Sequence, residues 1–220
     1  MNKMKIKNIL FDLDGTIIEP QEGIINSVSF ALNKMGIQEK DVDLLKKFIG
    51  PPLIDSFKRY YNLDILKANE AIKYYREYFL LKGINENSLY VNIDTLLNSL
   101  YLKNKNLFIA TSKPTVFAKQ IIKNYKLDNL FQQIIGSNLD NTRKNKDEII
   151  NFVLSKNQLS KSESIMIGDR SYDIIGANKN GIKSIGVTYG HGNEKELKDA
   201  RANYIVNTVE ELNKLLKKKT

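Results

Sequence analysis

The chain of 220 residues contains no cysteine, no tryptophan and a single histidine, His191. The absence of cysteine excludes disulfides and thiol catalysis and is typical of a protein from a reducing compartment. One histidine disfavours a nitrogen-rich zinc site. His191 lies in a glycine-rich loop, Tyr189-Gly190-His191-Gly192, and we interpret it as incidental rather than catalytic.

Long hydrophobic runs are also missing. No early segment combines the charged start, apolar middle and small-residue cleavage site of a secretory signal, and no apolar run approaches membrane-spanning length. We therefore expect a cytoplasmic protein that does not associate with membranes. Hydrophobic residues (42%) and charged residues (27%) occur at ordinary globular frequencies, so we expect one sizeable packed domain or a domain with a smaller insert.

The formal net charge is +9. Clustered lysine and arginine side chains would indicate nucleic-acid binding, because they release counterions from phosphate backbones. Here the basic residues are scattered, and the dense run 217–219 is typical of a solvated chain end. We predict no nucleic-acid partner and expect the basic surface to favour small anionic substrates.

After Thr16 the hydrophobic spacing becomes helical, and it stays so for about seventy residues. Prolines and glycines lie at positions 20, 36, 50–52 and 83, and the apolar residues between them fall on four helical stripes, at 24–35, 42–48, 53–60 and 65–79. The pattern predicts an all-helical (four-helix) insert over 19–87, within a core formed by 1–18 and 88–220.

The rest of the chain alternates between strand and helix patterns. Short apolar runs predict strands at 6–11, 107–110, 133–135, 164–167, 184–187 and 204–206. Alternating elements predict an α/β fold, a Rossmann-like doubly wound parallel sheet with helices on both faces. In such folds ligands bind at the carboxyl ends of the strands. The insert leaves and re-enters the core there, so we predict that it acts as a lid.

Two aspartates, Asp12 and Asp14, leave the first strand together. Because side chains alternate across a strand, both can point the same way while Leu13 points into the core. Two like charges this close require a cation, a shared proton or a bend that separates them. An acidic turn without chemistry is the alternative interpretation, since Asp and Gly are common turn residues.

Three features suggest a phosphate site. Thr111 offers a hydroxyl, and the turn that it shares with Ser112 is predicted to lead into a helix amino terminus that carries Pro114 in its first turn. Lys146 lies at a predicted helix start, where a lysine opposes the helix dipole and is better explained as a ligand for negative charge. Lys144 is the alternative candidate for the phosphate-binding lysine. Both lysines could also belong to a solvated basic loop that binds no ligand.

A third aspartate, Asp169, follows the strand at 164–167, and Asp173 lies four residues later. Helix capping is one interpretation of these residues. If Asp12, Asp14 and Asp169 converge at neighbouring strand ends, they supply the hard oxygen ligands that suit Mg²⁺, which also binds substrate phosphate.

Taken together, these groups resemble the four motifs of the phosphatases of the haloacid dehalogenase superfamily. In chain order the matching residues are Asp12-Leu13-Asp14-Gly15-Thr16, Thr111-Ser112, Lys146, and Gly168-Asp169 with Asp173. The helical insert resembles the small cap of the superfamily, and the chain is most similar to its phosphoglycolate phosphatase-like branch.

The resemblance implies a role for each residue. Asp12 is implied to be the nucleophile, and Asp14 the general acid and base. The phosphoryl oxygens are implied to be held by Thr111 and Lys146, with Ser112 and Gly15 completing the phosphate-binding group.

The resemblance also implies a Mg²⁺ site. Its ligands are implied to be Asp12, the backbone carbonyl of Asp14, and Asp169. Asp173 is implied to orient Lys146 or the waters of the metal.

The predicted function is a Mg²⁺-dependent phosphomonoesterase that hydrolyses a small, phosphoglycolate-like ester through an aspartyl-phosphate. The alternatives are a 5′-nucleotidase, a sugar phosphomutase and a non-enzymatic binding protein with the same fold. Asp14 disfavours a dehalogenase, since the dehalogenases of this superfamily lack a second aspartate. We expect a monomer or weak homodimer. Substrate choice is expected to be set in the insert, around 50–52 and basic residues such as Lys58, Arg59 and Arg76, and solvation of a helix surface is the alternative role of each basic residue.

Overall fold

The computed structural model of the protein describes residues 6–140 and 142–219. The chain divides into two compact units: unit 1 contains the residues up to Ile18 and from Leu89 onward, and unit 2 contains Glu19–Ser88. The identification of unit 2 as a cap stays a prediction.

Six parallel strands form the sheet of unit 1. They are β1 (Asn8–Phe11), β4 (Asn106–Pro114), β5 (Gln133–Ser137), β6 (Ser164–Gly168), β7 (Lys183–Val187) and β8 (Tyr204–Val206), in the spatial order β5-β4-β1-β6-β7-β8. The chain adds strands on one side of β1 as far as β5 and then crosses to the other side for β6. This reversal makes the sheet doubly wound and confirms the predicted fold class.

The core of unit 1 follows from the sequence of its strands. All four residues of β1 are buried, which is expected of a parallel strand covered on both faces. Leu10, Phe108 and Met166, from three adjacent strands, pack against Ile149 and Ile150.

In the described residues of unit 1, six α-helices accompany the sheet. They are α5 (Ile93–Leu102), α6 (Thr115–Asn124), α7 (Lys146–Lys156), α8 (Ser171–Asn180), α9 (Glu194–Asp199) and α10 (Val209–Lys219). Across residues 6–140 and 142–219, no helix has both the length and the apolar content needed to cross a membrane.

Unit 2 contains the four predicted helices, α1 (Gln21–Lys34), α2 (Val42–Lys46), α3 (Leu53–Tyr61) and α4 (Ile65–Leu81). The side chains of Asp41 and Asp64 cap α2 and α4 by accepting backbone N–H groups. Aromatic side chains contribute to its core: the rings of Phe48 and Phe57 meet edge to face, with centroids 4.9 Å apart. Two short strands, β2 (Ile18–Glu19) and β3 (Ser88–Leu89), pair where the chain passes between the units.

One predicted boundary is wrong. We expected the second strand of the core to end at Ala110 and Pro114 to lie in the first turn of a helix, whereas β4 continues to Pro114 and α6 begins at Thr115. Pro114 has an extended conformation (φ −53°, ψ 135°) and is opposite Ser137 in the pairing of β4 with β5. Thr111 and Ser112 therefore lie in a strand rather than in a turn before a helix amino terminus.

Candidate active site

Asp12 lies immediately beyond β1, at the carboxyl end of the strand, and is only 4% exposed. Its backbone N–H donates to the carbonyl oxygen of Ile167 in the neighbouring strand (2.8 Å). Its Oδ1 accepts the backbone N–H of Leu13 (2.7 Å) and lies 2.8 Å from Nζ of Lys146. The carboxylate is thus fixed by both backbone and side chain.

Lys146 is the first residue of α7 and is buried. Its Nζ lies 2.8 Å from Oδ1 of both Asp12 and Asp173 and donates to the carbonyl oxygen of Ala110 (3.1 Å). Burial alone would lower the pKa of Lys146, but the two carboxylates outweigh it and raise the pKa, so the ammonium group keeps its charge. Lys144, the alternative candidate, is only half-buried.

Asp173 lies in the first turn of α8 and is completely buried. Its Oδ2 accepts the backbone N–H of Arg170 (3.1 Å), so it also caps the helix. Burial raises its pKa, and Lys146 opposes that shift. A Cβ atom at Gly168 would overlap the Asp173 carboxylate, which explains why glycine ends β6.

Asp169 follows β6 and is 1% exposed. Its Oδ2 accepts the backbone N–H of His191 (2.8 Å), whereas its buried Oδ1 accepts no hydrogen bond from any residue in the described part of the chain. Burial raises the pKa of Asp169 well above its usual range, and the charges of Asp173 and Asp12 raise it further. A proton or a cation would relieve this repulsion.

Asp12, Asp169 and Asp173, which we call the acidic cluster, each place one carboxylate oxygen within 4.8 Å of the others. Lys146 neutralises part of this charge through Asp12 and Asp173. The Oδ1 of Asp169 accepts no hydrogen bond from the residues that the structure describes and is available for a ligand. Buried carboxylate oxygens at this spacing fit a hard divalent cation, so the cluster is suited to hold a metal ion.

Asp14 has a different partner. Its Oδ2 lies 2.8 Å from Nζ of Lys113, and both side chains are largely buried, with exposures of 11% and 5%. Burial raises the pKa of Asp14, and Lys113 opposes the shift. We call these residues the Asp14–Lys113 pair. From the sequence, the repulsion between Asp12 and Asp14 required a cation, a shared proton or a bend that separates them. In the structure each carboxyl group has a lysine of its own, Lys146 for Asp12 and Lys113 for Asp14.

Gly15 has a left-handed backbone (φ +77°) and donates its N–H to the carbonyl oxygen of Ile18 (2.8 Å). A Cβ at this position would lie 2.9 Å from Oδ1 of Asp169 and closer still to the rest of that carboxylate. Glycine is therefore required both by the turn and by the approach of Asp169. Phosphate binding by Gly15 stays a prediction.

Thr111 and Ser112 lie in β4, the strand beside β1. Thr111 is buried, and its Oγ1 accepts the backbone N–H of Lys113 (3.3 Å). The backbone oxygen of Ser112 accepts the hydroxyl of Ser137 (2.8 Å). Thr111 directly follows Ala110, whose carbonyl oxygen accepts a hydrogen bond from Lys146. Phosphate binding by Thr111 and Ser112 stays a prediction.

Sequence reasoning missed two features of the site. Lys113 lies two residues after Thr111 in the same strand, and side-chain alternation places the two on one face, a signal that would have identified it. The loop 189–192 contacts the site through its backbone, with the His191 N–H on Asp169. Backbone contacts leave little trace in side-chain chemistry, and the sequence interpretation of His191 as incidental concerned only its imidazole.

Comparisons with known proteins indicate the family of the chain. A family model described as haloacid dehalogenase-like hydrolase matches residues 9–187. A 5′-nucleotidase of Pseudomonas aeruginosa is 46% identical over 195 residues, 89% of this chain and 88% of its own length. A phosphoglycolate phosphatase of Aliivibrio fischeri is 27% identical over 209 residues, 91% of this chain and 92% of its own.

A solved structure is similar over nearly the whole chain. The crystal structure of a predicted phosphatase from Clostridium acetobutylicum is 50% identical and superposes with a TM-score of 0.94, covering 96% of this chain and 98% of that one. The fold of this chain is therefore shared with that of a predicted phosphatase.

Proposed function

The chain belongs to the haloacid dehalogenase-like hydrolase family and is an enzyme of the phosphatase class, and from this premise we propose that it is a Mg²⁺-dependent phosphomonoesterase acting through an aspartyl-phosphate on Asp12. The observation that carries the proposal is the contrast between two aspartates two residues apart. Asp12 is fixed beside Lys146 and Asp169, and Asp14 is held separately by Lys113.

In the first step, a carboxylate oxygen of Asp12 attacks phosphorus and the bond from phosphorus to the ester oxygen breaks. Asp14 gives its proton to the departing alkoxide, which leaves as the alcohol. Its raised pKa suits this role, because burial favours the protonated carboxyl that a general acid needs.

In the second step, water attacks the phosphorus of the aspartyl-phosphate. Asp14, now a carboxylate, accepts the proton of that water. The bond from phosphorus to Asp12 breaks, inorganic phosphate leaves, and both aspartates return to their starting states. A single carboxyl group thus serves as acid and then as base, and no proton has to come from elsewhere.

Lys146 and Thr111 are proposed to bind the phosphoryl oxygens, on which negative charge accumulates in the transition state. Lys146 fits this role because Asp12 and Asp173 keep it charged and fix its position. Asp173 would orient Lys146 rather than touch substrate.

Mg²⁺ is proposed to be held by Asp12, Asp169 and the backbone carbonyl of Asp14. The partnerless Oδ1 of Asp169 and the crowding of three buried carboxylates support this fit. When bound, the ion supplies positive charge that lets the Asp12 carboxylate approach an anionic phosphate.

Two substrate classes follow from the relatives. A nucleoside 5′-monophosphate is favoured by the 46% identical protein named 5′-nucleotidase, and a phosphoglycolate-like ester by the 27% identical phosphoglycolate phosphatase. We rank the nucleotide first because its relative is the more similar. This order revises the preference drawn from the sequence for a phosphoglycolate-like ester.

The test is a substrate panel of nucleoside 5′-monophosphates, phosphoglycolate, sugar phosphates and pyrophosphate, with release of inorganic phosphate as the readout. The proposal expects Mg²⁺-dependent release that a chelator abolishes and added Mg²⁺ restores. Steady release without any divalent metal would refute the metal requirement. A sugar phosphomutase would instead need a bisphosphate activator and would release phosphate slowly.

A further inference from the structure

The loop that follows β7, Tyr189 to Gly192, lies against the proposed metal site. The backbone N–H of His191 donates to Oδ2 of Asp169 at 2.8 Å. This is a fixed donor, because it belongs to the backbone and cannot change rotamer. It leaves the buried Oδ1 of the same carboxylate without a hydrogen-bond partner among the residues that the structure describes.

The loop has glycine at two positions because neighbouring atoms leave no room there for a Cβ atom. A Cβ at Gly190 would overlap the carbonyl oxygen of Gly15 and lie 2.6 Å from Cβ of Asp169. A Cβ at Gly192 would overlap the carbonyl oxygen of Asp169. Neither glycine has a positive φ. Close packing of the loop on Asp169, rather than an unusual backbone conformation, therefore requires glycine at both positions.

Tyr189 fixes the start of the loop. Its hydroxyl donates to the carbonyl oxygen of Thr16 (3.0 Å), and its ring meets that of Tyr90 edge to face with centroids 5.0 Å apart. Burial raises the pKa of this phenol, so the hydroxyl keeps its proton and remains a donor. The loop thus connects the segment after β1 with Asp169.

From this geometry we propose that the loop 189–192 is a positioning element for the metal site. The His191 amide holds Oδ2 of Asp169, and the close packing of Gly190 on the side chain of Asp169 prevents the carboxylate from rotating, so that Oδ1 is directed toward the cation. Gly192 lets the loop pack against the backbone carbonyl of Asp169. Fixing a ligand before binding lowers the entropic cost of binding, and groups of this kind often change metal affinity by about 10–100-fold. The inference rests on the proposed function, because it requires Asp169 to bind a metal.

The first test uses the wild-type protein. Because His191 is the only histidine, selective labelling with ¹⁵N-histidine gives one backbone amide resonance in a heteronuclear NMR spectrum. Titration with Mg²⁺, which is diamagnetic, should shift this resonance in a saturable way, since the charge on its acceptor changes. Calorimetry on the same sample measures Mg²⁺ binding independently.

Variants give the second test. Gly190→Ala should weaken Mn²⁺ binding, measured by electron paramagnetic resonance, by about tenfold or more. His191→Ala is the matched control: it removes the imidazole but keeps the amide, so binding should change less than about twofold by the same argument. Near-ultraviolet circular dichroism checks that Gly190→Ala is folded, and if it is not, the wild-type titration decides.

The outcomes separate the two proposals. If Mg²⁺ binds and the His191 amide shifts, the positioning role is supported. If Mg²⁺ binds and the amide does not respond, the positioning role is refuted while the proposed function stands. If no Mg²⁺ binds, both the metal part of the proposed function and this inference are wrong.

Discussion

The acidic cluster and the Asp14–Lys113 pair begin only two residues apart in the sequence, yet their electrostatics differ. In the cluster three buried carboxylates face one lysine, and Asp169 keeps an oxygen without a partner. In the pair one carboxylate faces one lysine at 2.8 Å. The cluster carries excess negative charge that a cation would balance, whereas the carboxyl group of Asp14 has a lysine of its own. This difference supports nucleophilic attack by Asp12 and proton transfer by Asp14.

The largest effect is expected for Asp12→Asn, which removes the proposed nucleophile from the cluster. Phosphate release should fall by at least about a thousandfold, as is usual when a nucleophile is lost. The side chain keeps its size and Lys146 keeps Asp173, so the fold should be retained by circular dichroism. Asp94→Asn, an exposed aspartate on α5, is the control and should retain full activity. Undiminished turnover in Asp12→Asn would remove Asp12 from the mechanism.

Asp14→Asn tests the proposed proton-transfer role of the Asp14–Lys113 pair. Loss of the general acid should slow hydrolysis of an alkyl phosphate by about 10²–10⁴-fold. A dinitrophenyl phosphate, whose leaving group needs no proton, should be affected much less in the step that forms the aspartyl-phosphate. Burst kinetics with both substrates separate this step from the later hydrolysis. Equal slowing of that step for both substrates would contradict the acid role.

Lys113→Met breaks the pair without touching the cluster. Removal of one partner from a buried ion pair should lower the free energy of unfolding by about 3 kcal/mol, measured by urea denaturation. The exposed pair formed by Lys195 and Asp199 offers a matched control, since Lys195→Met should leave the free energy of unfolding nearly unchanged. If Lys113→Met and Lys195→Met lowered the free energy of unfolding equally, burial of the Asp14–Lys113 pair would make no difference to its contribution to stability.

The smallest effect is expected for Asp169→Asn, measured as the stability of the metal-free protein. The folded-state pKa of Asp169 is raised, so over the range between its unfolded and folded pKa the folded protein binds more protons than the unfolded protein. The contribution of Asp169 to stability must therefore fall as pH rises through this range. Asp169→Asn should remove this dependence and make the metal-free protein more stable at neutral pH.

Thermal unfolding at several pH values, with chelator, measures this effect. Added Mg²⁺ should stabilise the wild-type protein, because a ligand that binds only the folded state shifts the equilibrium toward it. It should not stabilise Asp169→Asn. If Asp169→Asn instead destabilises the metal-free protein at neutral pH, the Asp169 carboxylate is not destabilised by burial and by repulsion from Asp12 and Asp173.

Much of the fold could be predicted from the sequence, because local patterns determine it. Buried parallel strands appear as apolar runs, and glycine or proline lies near several of the helix ends of unit 2, such as the start of α1 after Pro20 and the start of α3 after Pro52. Asp12 and Asp169 could be placed together because each directly follows a strand of one parallel sheet. The end of β4 was missed since its last residues, through Pro114, are held by pairing with β5, which is a tertiary effect.

The electrostatic partners within the site were harder to predict. Lys146 and Lys144 have similar sequence surroundings, and burial against Asp12 and Asp173 distinguishes Lys146 only in the folded protein. The contact of the His191 amide with Asp169 depends on the packing of a loop, and a backbone donor has no side-chain signature.

The most direct test of the account is to trap the intermediate. The enzyme is mixed with labelled substrate and Mg²⁺, quenched in acid during turnover, digested, and analysed by mass spectrometry for the peptide that carries the phosphoryl group. The account predicts phosphorylation of Asp12 in the wild-type protein and none in Asp12→Asn. Phosphate release without any phosphorylated peptide, or with the phosphoryl group on another residue, would contradict the division of roles between Asp12 and Asp14.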